Sequence, residues 1–139
     1  MKTGFFRQLK NNQIPGVVSI SLEPSGNNFV LFEYKSLCPN WKLSEKFNSK
    51  KINEDFFYNE FYEQLNQLSP KETYDNILTL VKGNEPILMT HGNKSKFCHR
   101  HIVAEWFTTN LGIQIEEYKT GKVLRKKGYM QKIKNPTLF

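Results

Sequence analysis

Cysteines and long apolar runs are scarce in this chain. Its two cysteines, Cys38 and Cys98, are too few for a disulfide framework, so we expect both to be free thiols. No apolar stretch approaches the roughly 20 residues that cross a bilayer. The N-terminus also lacks the apolar segment and the small-residue cleavage site of a signal peptide. The sequence therefore predicts a cytoplasmic protein with no membrane partner.

Several motifs that bind cofactors are missing as well. The chain contains neither a Walker phosphate loop nor a dinucleotide glycine fingerprint, and no closely spaced pair of cysteines indicates a zinc site. At 139 residues the chain has the size of one domain, which can bury enough surface to fold without a metal or a disulfide. We therefore expect no cofactor and no metal.

Acidic residues end at Glu117, whereas basic residues continue. The seven cations that follow account for the net charge of +7: Lys119, Lys122, Arg125, Lys126, Lys127, Lys132 and Lys134. We accordingly divide the chain into an α/β domain, residues 1–118, and a basic C-terminal extension, residues 119–139. The candidates for nucleic-acid contact are Lys122, Arg125, Lys126 and Lys127. A solvated extension without a ligand is the alternative.

Hydrophobic periodicity predicts strands that alternate with helices. Strand patterning covers residues 16–22, 29–34, 87–89 and 113–118, and residues 120–121 predict a hairpin turn into 123–124. Helices are predicted from the spacing of Phe57, Phe61, Leu65 and Leu68, from the Ser69–Pro70 start with Glu72, and over 98–110. Residues 42–51 favour a loop with one short helix. We expect fold class α/β: a single compact Rossmann-like domain with a mostly parallel central sheet flanked by helices.

All three histidines and Cys98 fall within residues 91–101. This segment follows a predicted buried strand and precedes a predicted helix, and open α/β folds usually bind ligands beyond the carboxyl ends of their strands. On a helix that begins near Cys98, we expect His99 to face the core, His101 to point nearly opposite into solvent, and His91 to stay in the loop. Histidines two residues apart do not converge, so zinc is disfavoured.

The same segment favours anion binding or thiol chemistry. A helix N-terminus offers unpaired N–H groups to an anion. The side chains expected to help are the Thr90 hydroxyl, the ammonium groups of Lys94 and Lys96, and the bidentate fork of Arg100. Cys98 is a candidate nucleophile with His99 as its proton partner, because the helix dipole and neighbouring cations lower the pKa of a thiol. The cysteine phosphatase loop needs five residues between its cysteine and arginine, and here there is one. Purely structural roles for Cys98 and His99 are the alternative.

The string from Phe97 to Trp106, Phe-Cys-His-Arg-His-Ile-Val-Ala-Glu-Trp, resembles the signature of domain-of-unknown-function family 488. Other pieces resemble elements of that family in the same order: Ser19-Ile20-Ser21 with Pro24, Leu37-Cys38-Pro39, and the aromatic segment 57–65. The resemblance implies a compact Rossmann-like α/β domain with Cys98, His99 and Arg100 as candidate site residues. Members commonly carry a second cysteine at the end of the strand before this loop, where this chain has Leu88-Met89-Thr90-His91.

From these features we expect a small cytosolic protein that binds a phosphorylated ligand, either a nucleotide or a nucleic-acid end, around Cys98-His99-Arg100. The expected ligand-binding residues are Thr90, Lys94, Lys96 and Arg100, and the candidate catalytic residues are Cys98 and His99. The alternative is a phage- or host-encoded interaction protein. Its basic extension would bind nucleic acid or a protein, and its Cys-His-Arg segment would be structural. Whether the site catalyses a reaction is left open at this point.

Overall fold

The computed structural model describes residues 1–10, 12–26 and 30–133. Its central element is a five-stranded sheet in which all hydrogen-bonded neighbours run parallel. The strands are β1 (Lys2–Phe5), β2 (Val17–Ser19), β3 (Phe32–Glu33), β4 (Ile87–Thr90) and β5 (Glu116–Glu117), in the spatial order β3-β2-β4-β1-β5. Because β2 and β4 are neighbours, the segments that follow them meet at one edge of the sheet.

Four helices accompany the sheet. They are α1 (Trp41–Asn48), α2 (Glu54–Leu65), α3 (Pro70–Leu80) and α4 (His99–Leu111). Side-chain oxygens of Asn40, Asn53 and Ser69 cap the first three helices by accepting a backbone N–H of the first turn. Gly112 ends α4 in the left-handed conformation that favours glycine, with φ 67°.

The sheet has one thickly and one thinly covered face. On β4, Leu88 joins the main core with α2, α3 and α4, whereas Ile87 and Met89 join a smaller core closed by a 3-10 turn at Phe6–Leu9. Successive strand residues point to opposite faces, so β4 is buried on both. This double burial explains why β4 has an uninterrupted apolar sequence before Thr90.

A hairpin that follows the last strand of the sheet in the sequence packs against α4. It consists of β6 (Val123–Lys126) and β7 (Tyr129–Lys132), which pair antiparallel. The turn residues Lys127 and Gly128 have φ values of 50° and 91°, and two positive values are typical of the turn that joins such strands. The turn approaches the domain closely, because a Cβ on Gly128 would lie 2.2 Å from Phe97 Cε2.

The predicted fold class is confirmed, and most predicted elements are present in shorter form. The helix predicted over 98–110 is α4, the short helix within 42–51 is α1, and the strand at 29–34 is β3. Phe29 lies outside the described residues, as do residues 134–139 of the predicted extension. Within the described ranges, no helix combines the length and apolarity needed to cross a bilayer.

The predicted hairpin of residues 113–118 with 123–124 is wrong. Glu117 and Gly121 form only a single antiparallel bridge. The reason is that β5 already pairs in parallel with β1, so that β6 takes β7 as its partner. Strand β1, which lies inside the sheet between β4 and β5, was not predicted.

Candidate functional site

A cavity of about 730 Å³ opens at the carboxyl ends of β2 and β4. Parallel α/β sheets usually bind their ligands at this edge. The cavity is lined by the segment after β2 (Ser21, Leu22, Glu23), by α1, α2 and adjoining residues (Pro39, Trp41, Ser44, Glu45, Phe47, Asn48, Ser49, Phe57), and by the segment around the α4 start (His91, Phe97, Cys98, His99). The segment singled out by sequence therefore forms one wall of a cavity.

Cys98 is fixed at the start of α4 from three directions. It is the N-cap residue of α4 with an extended backbone, and its N–H donates to the carbonyl of Gly128 in the hairpin turn (2.9 Å). Its Sγ lies 3.0 Å from the Thr90 hydroxyl at the end of β4. The side chain lines the cavity although the residue is only 8% exposed. Strand, helix and hairpin thus jointly hold the thiol.

The surroundings of Cys98 favour its thiolate at neutral pH. Burial by itself raises the pKa of this thiol, but a hydrogen bond with His99, the charges of His99 and Arg100, and the hydrogen bond with Thr90 outweigh burial and lower the pKa from 9.0 to about 6. Cys38 behaves oppositely, because burial raises the pKa of its thiol to about 11. The surroundings of the two thiols therefore shift their pKa values in opposite directions, and a lowered pKa is typical of a reactive cysteine.

His99 is held beside Cys98 by contacts with β2 and α2. Its Nε2 donates to the carbonyl of Ile20 just after β2 (2.6 Å), and its ring packs edge-on against Phe61. A carbonyl oxygen only accepts, so Nε2 carries a proton and Nδ1 is left for the hydrogen bond with the thiol.

Arg100 and Thr90 do not face a ligand, which corrects the roles expected for them. Arg100 is fully buried, and its Nη2 donates to Glu117 Oε2 (3.0 Å) and to the Asn93 carbonyl (2.9 Å). Thr90 is fully buried as well, and its hydroxyl contacts Cys98 Sγ. Both side chains point into the protein behind the thiol, and they act on Cys98 instead of on a bound anion.

Glu117 connects three elements behind Cys98. Its carboxylate accepts from Thr3 Oγ1 on β1 (2.7 Å), forms a fully buried ion pair with Arg100, and lies 3.7 Å from Arg125 Nη1 on β6. We call Arg100, Glu117, Arg125 and His101 the buried charge cluster. Two guanidinium groups in this cluster face one carboxylate, so a second negative charge nearby is favourable. Cys98 is near enough for this effect, because the charge of Arg100 lowers the pKa of its thiol and Cys98 in turn raises the pKa of Arg125.

The hairpin buries two residues that were expected at the surface. His101 is 0% exposed; burial and the charges of Arg100 and Arg125 lower the pKa of its imidazole to about 2. The ring is therefore neutral, and its Nδ1 accepts from Arg125 Nη1 (2.6 Å). The Arg125 side chain is 4% exposed, and burial lowers its pKa to about 10. The predictions that His101 is solvated and that Arg125 contacts nucleic acid are therefore wrong, because the hairpin covers this side of α4.

The other predicted cations remain exposed near the cavity. Lys94 and Lys96 lie on the β4–α4 loop but are absent from the cavity lining, and Lys122, Lys126 and Lys127 are exposed on the hairpin. Loop and hairpin are in direct contact, since the rings of Phe97 and Tyr129 lie 5.7 Å apart. The exposed lysines thus lie on two segments that contact each other.

His91 stays in the loop as predicted. Its Nε2 donates to the carbonyl of Pro24 (2.8 Å), and its ring packs edge-on against Phe6. This contact joins the loop after β4 to the segment after β2, on either side of the cavity. Across the described ranges, no group of three His, Cys, Asp or Glu residues is arranged to hold a metal ion.

The wall formed by α1 was not predicted. Trp41, Ser44, Glu45 and Asn48 line the cavity at spacings of three and four residues, and Trp41 is 61% exposed. The sequence could have indicated this wall, because a tryptophan stands among polar side chains at helical spacing. The pattern was hard to recognise because the surrounding lysines favour a solvated loop.

Comparison with known families identifies the family of this chain. Residues 7–111 match the model of family DUF488-N3a, described as the active DUF488-N3 subclade. No curated protein and no solved structure matches the chain significantly. The match includes Cys98, His99 and both strands that border the cavity, whereas Glu117, Arg125 and Gly128 lie beyond it. Because the match spans well over half of the chain, the protein belongs to the DUF488-N3a family.

Proposed function

We propose that the protein binds a nucleotide unit, either free or at a nucleic-acid end, in the cavity beside Cys98, and that Cys98 attacks it. The observation that carries this proposal is the placement of an activated thiol on the wall of a ligand-sized cavity. Its volume of about 730 Å³ is within the range of small-molecule sites. The activated thiol distinguishes this cavity from an ordinary surface depression, because a structural cysteine is normally inert.

The cavity wall suits the nucleoside part of such a ligand. Trp41 is an exposed aromatic surface on which a base can stack, and Phe47, Phe57 and Phe97 add apolar lining. Serine and asparagine side chains of α1 offer donors and acceptors for ribose or base. The aromatic ring therefore suits the base of a nucleoside, and the neighbouring polar side chains suit the hydroxyl groups of its ribose.

The phosphate belongs outside this cavity, towards the β4–α4 loop. None of the lining residues is a lysine or arginine, so a phosphate inside would lack a neutralising charge. Lys94 and Lys96 are exposed on the loop between the lining residues His91 and Phe97. The first turn of α4 adds the favourable dipole of a helix N-terminus. In this arrangement Lys94 and Lys96 bind the phosphate, as expected from the sequence, and Arg100 does not contact it.

The proposed chemistry uses Cys98 and His99. The Cys98 thiolate donates an electron pair to an electrophilic carbon or phosphorus of the ligand, and a bond from that atom to a leaving group breaks. His99 holds the former thiol proton on Nδ1 and delivers it to the leaving group. The family description as an active subclade supports catalysis over a purely structural segment.

Alkylation with iodoacetamide at pH 7 tests this proposal. We expect rapid modification of Cys98 in the wild-type and Cys38→Ser proteins, and none in Cys98→Ser under the same conditions. An equimolar mixture of the four nucleoside monophosphates should slow the reaction, whereas free ribose should not. Cys38→Ser is the matched control, because Cys38 is the only other thiol. An ordinary, slow rate for Cys98 that nucleotides leave unchanged would contradict the proposal.

A second candidate function is nucleic-acid binding along the hairpin. It is favoured by the contact that joins the hairpin turn to the loop, since the segment that carries Lys126 and Lys127 packs against the segment that carries Lys94 and Lys96. For a single-stranded oligonucleotide, Lys126→Gln should reduce the salt-dependence slope of log K by about 0.7 per lost phosphate contact. Lys82→Gln, at the amino-end edge of the sheet, is the control. Equal slopes for both variants would exclude a contact at Lys126.

A further inference from the structure

Helix α1 is anchored on the main core by two apolar side chains, one of which, Phe47, also lines the cavity. Leu43 and Phe47 pack against the main core, and Phe47 contacts the rings of Phe57 and Phe97. The remaining face presents Trp41, Ser44, Glu45 and Asn48 to the cavity. The position of the Glu45 carboxylate on the cavity wall therefore follows from a packed and capped helix.

Apart from Cys98 and the two histidines, the ionisable side chains that line the cavity are both acidic. They are Glu45 on α1 and Glu23 in the segment after β2. Neither carboxylate forms an ion pair with a residue in the described part of the chain. An ionised carboxylate offers only acceptors, so a ligand that pairs with it well must present adjacent donors.

Among the nucleobases, guanine best meets that requirement. Its N1–H and N2 amino groups are neighbouring donors that a carboxylate can accept in a bidentate arrangement. Adenine places the N1 acceptor beside its amino group, cytosine places N3 there, and uracil flanks its N3–H with two carbonyl oxygens. A carboxylate is repelled by each of these acceptors, and such a mismatch is the strongest basis for discrimination at a polar site.

We propose that the cavity is specific for guanine, with Glu45 accepting from N1–H and the N2 amino group while Trp41 stacks on the base. This inference rests on the proposed nucleotide-binding function and names its substrate class. Lys42 Nζ lies 5.9 Å from the Trp41 ring centroid, and the ring is still 61% exposed. Trp41 is therefore accessible to a base.

The tryptophans of this chain provide the measurement. Of the two, Trp106 is 0% exposed and donates to Asn66, so that quenching by a soluble ligand reports on Trp41. Titrations with GMP, IMP and AMP should give affinities in that order, with GMP at least tenfold tighter than AMP. IMP lacks the N2 amino group and should lie between them. Trp41→Phe should abolish the quenching.

Variants of Glu45 separate specificity from binding. Glu45→Gln should lower the affinity for GMP and should not lower that for AMP, because the variant loses the bidentate acceptor for guanine and no longer repels adenine N1, so that the two affinities become similar. Glu60→Gln, an exposed position on α2 away from the cavity lining, should have no effect. An equal loss for GMP and AMP would overturn the inference, because the carboxylate would then hold the ribose common to both.

The failure of this inference differs from the failure of the proposed function. If GMP and AMP quench Trp41 equally and both protect Cys98 from iodoacetamide, specificity for guanine is wrong and nucleotide binding stands. If neither nucleotide quenches Trp41 or protects Cys98, nucleotide binding itself is wrong, and the inference about guanine falls with it.

Discussion

At the residue scale, the reactivity of Cys98 depends on charges that never reach the solvent. Arg100 points away from the cavity, yet its charge is among the causes that lower the pKa of the thiol. Thr90 and His99 contribute hydrogen bonds from the strand and cavity sides. The sequence predicted that Cys98, His99 and Arg100 share one site. It could not predict that Arg100 faces inward, because that depends on Glu117, a partner 17 residues away.

Replacing Arg100 should raise the pKa of the Cys98 thiol and so lower its reactivity at neutral pH. In a Cys38→Ser background, we expect Arg100→Gln to move the pKa of Cys98 from about 6 towards 9, since one positive charge behind Sγ is lost. The pH dependence of the iodoacetamide rate measures this shift. Arg100→Lys retains the charge, so its profile should stay closer to that of the parent. Identical profiles for the parent and Arg100→Gln would show that Arg100 does not act on Cys98.

His101 should make the fold sensitive to acid. Burial and two neighbouring cations lower the pKa of His101 from 6.5 to about 2, so below pH 6.5 the unfolded chain binds a proton that the folded chain refuses. Its contribution reduces the free energy of unfolding as the pH falls from 6.5 towards 2, by up to about 1.4 kcal/mol per pH unit.

Urea unfolding at several pH values tests the role of His101. The His101→Asn variant keeps an acceptor for Arg125, but the new amide side chain does not titrate. The variant should therefore show a shallower loss of stability below pH 6.5 than the wild type. Parallel curves for the two proteins would contradict the assignment.

At the element scale, local signals predicted the helices better than the strands. Ser69 with Pro70 marked the start of α3 correctly, and Gly112 ends α4. Strand β1 gave no such signal, because only four residues take part and two of them are Thr3 and Gly4. Gly4 lets two long side chains approach the strand closely: a Cβ there would lie 2.7 Å from Gln8 Oε1 and 3.1 Å from Met89 Cε. Such close approaches are visible only in three dimensions.

The hairpin turn is the element whose exact position matters most for the site. In Gly128→Ala the new Cβ would collide with the Phe97 ring, so we expect a loss of stability about 1–3 kcal/mol larger than in Gly121→Ala. Gly121 has nearly the same φ, 92° against 91°, but open space around it. Thermal or urea unfolding of both variants measures the difference. Equal losses would mean that backbone strain alone, without the clash, accounts for the effect.

At the scale of the whole molecule, the basic extension predicted after residue 118 belongs to the domain as far as residue 133. Arg125 completes the buried charge cluster, and the Gly128 carbonyl accepts from the Cys98 N–H. The charge composition led us to separate this segment from the domain, because surface lysines make up most of its charged residues. The charge pattern did not reveal that Val123 and Arg125 alternate with Leu124 and Lys126 between buried and exposed faces.

Removal of residues 119–139 should therefore impair the site as well as any nucleic-acid binding. We expect the truncated protein to be less stable and its Cys98 to lose the rapid reaction with iodoacetamide, because Glu117, Arg100 and His101 become exposed. Removal of residues 134–139 alone is the control and should preserve the reaction, since all described contacts of Cys98 involve earlier residues. Normal Cys98 reactivity in the longer truncation would show that the hairpin is dispensable.

The position of β1 between β4 and β5 has a consequence for how the protein forms during synthesis. These two partners lie more than 80 and 110 residues later in the chain, so β1 leaves the ribosome long before either of them and stays unpaired until they are made. Such non-local pairing slows folding, and premature release or a stalled ribosome would leave a fragment without a complete sheet. A nascent chain of this protein is therefore expected to need protection from aggregation until Glu117 has emerged.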